Sequence, residues 1–172
     1  MIKNTLLIPI LASLIACSSY PPITTATKVD LARFMGDWYV LANIPTFIEI
    51  GAHNAIESYK LNEDNSIATT FSFYQDHFDG EKKTYQPVGF VIDKESNAIW
   101  GMQFIWPFEA DYRIIYVSDD YSKTVIGRLK RDYVWIMART PEISPQEYNQ
   151  LIQIIKQQGY DVSKIQRVPQ QW

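Results

Sequence analysis

From Trp38 to Arg139, apolar and polar residues alternate with a period of two, in runs of about five to nine residues separated by turn chemistry. The alternation predicts strands at 38–44, 55–61, 66–74, 84–92, 98–105, 112–118, 123–128 and 133–139, eight in all. Three connections, 62–66, 93–97 and 118–122, are short and polar, as tight antiparallel hairpins require. The connections 44–54 and 105–111 are longer and carry Phe47, Ile48, Ile50, Trp106 and Phe108 with few polar neighbours. Tight turns at one end and apolar loops at the other describe a cup.

Two helical stretches flank the strands. Asp30 can cap a single turn that stops at Gly36. Beyond the last strand, Ser144 and Glu147 form a capping box with Pro145 at the first helical position. Tyr148, Leu151, Ile152 and Ile155 then recur on one face until Gly159, which predicts an amphipathic helix packed outside the sheet.

The chain of 172 residues suits one domain. A 47% apolar and 14% aromatic composition is that of a folded protein rather than a disordered one. A formal charge of −3 without a block of basic residues excludes the footprint of a nucleic-acid binder. His53 and His77 lack metal-ligand spacing, and neither a G-x-S-x-G elbow nor a phosphate-cradling glycine loop is present, so no metal, cofactor or catalytic apparatus is expected.

The first residues follow a different pattern. Lys3 precedes an apolar run from Leu6 to Ile15, too short to cross a bilayer as a helix, and small Ala16 precedes the lone Cys17. This predicts a signal peptide over 1–16, Cys17 with a polar tether through 29, and a globular domain over 30–172.

Four segments carry a family resemblance. Leu14-Ile15-Ala16-Cys17 resembles a lipoprotein box; Gly36-Asp37-Trp38, Asp119-Asp120-Tyr121 and Arg139 resemble the three signature regions of the lipocalins. The chain is similar in particular to bacterial outer-membrane lipoproteins of that family. The resemblance implies an all-β fold, an eight-stranded antiparallel up-and-down barrel with one C-terminal helix outside. It also implies a lipid-modified Cys17, with Ser18 favouring the outer membrane and a periplasm-facing domain. Arg139 is expected to cover the Trp38 indole and close the barrel base.

An eight-stranded barrel can hold one small ligand. Alternation assigns Phe71, Trp100, Met102, Phe104, Tyr133, Trp135 and Met137 to the inner face, with Gly89 and Gly127 among small inward or near-inward positions. Alignment with the family adds Glu57, Tyr59, Tyr112, Ile114 and Tyr116. A one-residue slip would instead turn Glu57 to solvent. These side chains either line a cavity or fill it. If they line one, the expected ligand is a fatty acid or lysophospholipid, stored or transported at the cell envelope. Rim aromatics would admit its chain, and Lys82, Lys83, Arg128, Lys130 and Arg131 would meet its head. The alternatives are a lipid-modifying enzyme with Glu57 as acid or base beside Tyr59 or Tyr112, and a filled scaffold docking a periplasmic partner. Apolar loop tips are also compatible with a homodimer.

Overall fold

The computed structural model describes residues 22–172; the signal segment and Cys17 lie outside the described residues. The barrel strands are β1 (Gly36–Ile44), β2 (Ala52–Leu61), β3 (Ser66–Gln75), β4 (Lys82–Tyr85), β5 (Val88–Val91), β6 (Ile99–Ile105), β7 (Phe108–Val117), β8 (Lys123–Gly127) and β9 (Val134–Ala138). Each pairs antiparallel with its neighbour, and β9 returns to β1, closing the sheet. The expected strand at 84–92 is two strands. Both β4 and β5 pair with β3, and Gln86-Pro87 interrupts them because proline has no N–H to give the ladder. The Pro87 carbonyl still accepts from Thr69 N at 3.1 Å, so the two pieces occupy one of eight positions around the barrel.

One end of the barrel is plugged. Asp30 caps α1 (Leu31–Phe34), which places Phe34 5.1 Å from Trp38 and 5.5 Å from Trp100 between ring centroids. The Arg139 guanidinium lies 3.7 Å above the Trp38 ring and donates to the carbonyls of Arg33, Phe34, Met35 and Asp37, as the sequence leads one to expect. Gly36 holds a φ of +94°, a region that favours glycine, with its Cα side facing this guanidinium.

Outside the sheet, the amphipathic helix α2 (Pro145–Gln157) begins at the expected capping box. Leu151 and Ile155 bury its apolar face against Leu41, Val125, Val134 and Ile136, the outward set of β1, β8 and β9. Each fully buried aliphatic side chain contributes about 1.5–3 kcal/mol. Beyond α2, a 3₁₀ turn (Val162–Lys164) leads to β10 (Gln166–Arg167), which pairs with Ala42 and Asn43.

β10 begins a patch over a seam. β1 and β2 pair only from Gly36 to Tyr39 and then diverge. Into the gap run Val168, whose N–H donates to Leu41 O, and Gln170, whose Nε2 donates to Val40 O and Ala55 O. Asn54 holds the far side through Pro169 and Gln171.

The stretch expected as a tether is fastened from residue 22 onward. Pro22 O accepts from Arg131 Nη2 beside the β8–β9 loop, and Ile23 is buried in the outer cluster. Ala26 and Val29 then bond Ile114 and Ser96, carrying the chain from the open end to the plugged end.

Candidate functional site

The plug divides the interior. Tyr59, Trp100, Ile114 and Met137 are buried in the cluster around Phe34 and Trp38 and form a packed floor rather than a cavity wall. Trp100 stacks on Tyr112 with centroids 5.3 Å apart. Above that floor lies a cavity of about 490 Å³ that opens toward the long loops. Glu57, Phe71, Met102, Phe104, Tyr112, Tyr133 and Trp135 line it, so seven of the expected inward residues meet there. Phe104 is half exposed and stands at the mouth, where β6 takes an irregular step between Met102 and Ile105.

Tyr116 is a correction. Between Ile114 and Tyr116 the register of β7 against β8 shifts by one residue, which returns the next side chain to the outer face. Tyr116 therefore packs against the cluster under α2, and Val117 takes the inner side. Gly127 is corrected as well. A side chain there would meet Tyr160 Oη and Ile115 Cδ1, both of the outer layer, so this glycine makes room for Tyr160 and not for a ligand. Gly89 does face inward, against Met102 and Ile67.

Of the three carboxyl groups that line the cavity, Glu57 and Glu49 are the ones whose protonation burial alters. Glu57 rises from β2 at the junction of floor and cavity, beside a chain of hydroxyls in which Tyr59 is hydrogen-bonded to Tyr112 and reaches the Glu57 carboxyl. Burial pushes the Glu57 carboxyl up to about 8; the Tyr59 hydrogen bond opposes this, and the nearby Glu49 adds to it. Burial likewise raises Tyr59 and Tyr112 well above the ordinary phenol range. At neutral pH the base of the cavity thus presents uncharged hydrogen-bonding groups.

Glu49 is a residue the strand pattern does not single out. It is 5% exposed and clasps the β1–β2 loop over the cavity. One oxygen accepts from Thr46 N and Oγ1 at 2.8 and 2.7 Å; the other accepts from Trp135 Nε1 at 2.6 Å. Burial raises its carboxyl, and the bonds from Thr46 and Trp135 pull it back. The signal was present: Thr46-x-x-Glu49 has the spacing of a capping box, here closing a single turn. Phe47 and Ile48, on the same turn, both line the cavity mouth, with Phe47 and nearby Ile50 largely exposed.

The other unanticipated wall residues, Tyr85, Gln86, Pro87, Ala110 and Asp111, sit at the interrupted strand and at the start of β7. The expected basic rim is largely committed. Arg128 lines the cavity, pairs with Asp132 at 3.3 Å and covers the Tyr133 ring, with its Nε unpartnered. Lys83 pairs with Glu81, and Arg131 donates to the carbonyls of Leu129, Gln158 and Pro22. Among the described residues no cluster of His, Cys, Asp or Glu is arranged to hold a metal.

Comparison with known proteins agrees with this geometry. Residues 29–170 match the family model described as a lipocalin-like domain. The chain is 29% identical over 154 residues to the outer membrane lipoprotein Blc of Citrobacter freundii, covering 88% of this chain and 86% of the relative. It is 28% identical over 153 residues to temperature-induced lipocalin-1 of Arabidopsis thaliana, covering 83% and 80%. Among solved structures, insecticyanin of Manduca sexta superposes with a TM-score of 0.68 at 15% identity, over 86% of this chain and 84% of that one.

Proposed function

The chain belongs to the lipocalin-like family, and from that premise we propose that its cavity binds one acyl-chain lipid, a fatty acid or a lysophospholipid, for storage or transport at the cell envelope. The observation that carries this reading is the 490 Å³ cavity walled by Phe71, Met102, Tyr85 and Trp135 and open at an apolar mouth. Its volume falls in the range of about 300–1,000 Å³ that suits a single small ligand. Each buried CH₂ contributes about 0.8 kcal/mol, so a chain of roughly ten carbons reaches micromolar affinity only if ordering costs are small. The cavity wall is already packed by ring contacts, which keeps those costs low.

The polar groups suggest how the lipid lies. An anionic head would lose its hydration at the buried base of the cavity and is better placed at the mouth near Arg128. The tail then runs inward past Phe71 and Met102. Anchoring through an acylated Cys17, as in the relatives named outer membrane lipoproteins, would hold the domain where such lipids occur.

Ala110 tests the reading because it lines the cavity and a large side chain there would fill it. Ala110→Trp is expected to weaken binding of a fluorescent fatty acid at least about tenfold, a loss of about 1.4 kcal/mol, with the circular dichroism spectrum kept. Wild-type protein that binds no acyl lipid after delipidation would end the proposal. Cys17→Ser is expected to move the protein from the membrane to the soluble fraction, and continued membrane retention would remove the anchoring part alone.

A further inference from the structure

The contacts of Pro22 and Ile23 fix more than the length of a tether. Pro22 is held by Arg131 at the β8–β9 loop, and Ile23 is buried immediately after it, so the chain joins the barrel at its open end. Five residue steps separate Cys17 from Pro22, a reach of at most about 18 Å. The barrel is longer than that: ten residues of β2, inclined as barrel strands are, give a height of about 25 Å.

The same end carries the greatest apolar exposure. Phe47 is 84% exposed, Trp106 80% and Phe108 75%, with Ile105 and Ile50 beside them in sequence and similarly open. Leu129 N donates to Asp111 Oδ2, tying the β8–β9 loop, where the chain enters, to the start of β7, where Phe108 lies. Entry point and apolar loops therefore share one rim. The plugged end exposes Leu61, Phe90 and Ile92, only 37%, 38% and 60% open and without a cavity behind them.

We propose that this rim seats in the phospholipid leaflet that holds the acyl groups of Cys17, so that the cavity mouth opens directly into that leaflet. The proposal rests on the anchoring reading of Cys17 but not on the identity of the bound lipid. An inverted barrel, mouth away from the membrane, would put the entry point about 25 Å above the surface, beyond the reach of the five steps. A barrel on its side would satisfy the tether yet leave Phe47, Trp106 and Phe108 in water. Seating the mouth removes the largest exposed aromatics from water and satisfies the tether together.

Cys17 is the only cysteine of the chain and is blocked when acylated, so single cysteines placed elsewhere can be labelled in the lipidated full-length protein. Phe108→Cys reports on the rim and Glu95→Cys, exposed in the β5–β6 turn, on the plugged end. Each is labelled with a nitrobenzoxadiazole probe and reconstituted into phosphatidylethanolamine–phosphatidylglycerol vesicles with or without doxyl-labelled lipid. The expected result is a blue-shifted emission at position 108 that is lost to doxyl quenching, and neither effect at position 95. Protein that floats with vesicles while its probe at position 108 stays unquenched overturns the orientation and leaves anchoring intact. A blue shift at 108 without doxyl quenching identifies a second copy as the occupant and overturns it too. Protein that fails to float removes the anchor, and the orientation with it, while fatty-acid binding measured on the same sample stands or falls separately.

Discussion

Glu57 shows how one side chain ties the site to stability. Its carboxyl is pushed up to about 8 by burial, against an ordinary value of 4.5. Below about pH 4.5 both folded and unfolded chains hold the proton, and Glu57 does not change the balance. Between 4.5 and 8 the folded state keeps a proton that the unfolded state releases, so stability falls as pH rises through this window and levels off above it. Glu57→Gln keeps the shape without the titration. It is expected to flatten the loss between pH 5 and 8 and to stabilise the protein at pH 8 by on the order of 2–4 kcal/mol, read from urea unfolding across pH. An unchanged pH profile would mean that Glu57 is ionised in the fold. Alternation alone left the facing of Glu57 open, because a slip of one residue exchanges the two faces of a strand; register with Trp38 and Phe71 settles it. Glu49 was harder to read. Its function as a clasp depends on Trp135, 86 residues away, and no local pattern announces a partner at that distance.

At the scale of elements, the rhythm of strands and the capped helix were legible because each is written locally, in period-two alternation and in Ser144, Pro145 and Glu147. The break at Pro87 was legible in principle, since proline cannot serve a central ladder. The bulge in β7 was not, because it answers a demand of closure that Ile114, Ile115 and Tyr116 do not reveal by type. That bulge put Tyr116 on the wrong face of the expected barrel. Gly127 escapes the alternation for a related reason: what it accommodates, Tyr160, lies beyond α2. The Tyr160 hydroxyl accepts from Arg128 N at 2.7 Å and donates to Arg128 O, so helix, turn and barrel lock at this point. Gly127→Ala is therefore expected to cost about 1–3 kcal/mol by overpacking, measured by thermal or urea unfolding. Adding Tyr160→Phe removes the clashing oxygen and should recover part of that loss; no coupling between the two substitutions would count against the contact as its cause.

For the whole molecule, the interior is divided by the plug into a solid half and an open half, and this division decides which inward residues can meet a ligand. Sequence periodicity distinguishes inside from outside but not floor from cavity, since Trp100 and Met102 lie on one strand face yet only Met102 reaches the open half. The division comes from Phe34, whose ring arrives from outside the strand pattern. The patched seam between β1 and β2 is the other feature of this scale. Removing residues 166–172 deletes six hydrogen bonds across that seam: Val168 N to Leu41 O, Gln170 Nε2 to Val40 O and Ala55 O, Asn54 N to Pro169 O, Asn54 Nδ2 to Gln171 O, and Gln171 N to Asn54 Oδ1. At about 1 kcal/mol net for each, such a truncation should lose several kcal/mol and become open to protease between β1 and β2, which limited proteolysis with mass mapping would detect. The seam also has a direction in time. In its second half, β1 is bordered by β9 on one side and by Gln166 and Arg167 on the other, both of which leave the ribosome after it. The barrel therefore has no means of sealing until residues 134–170 have been made, and the nascent chain stays open along β1 up to that point.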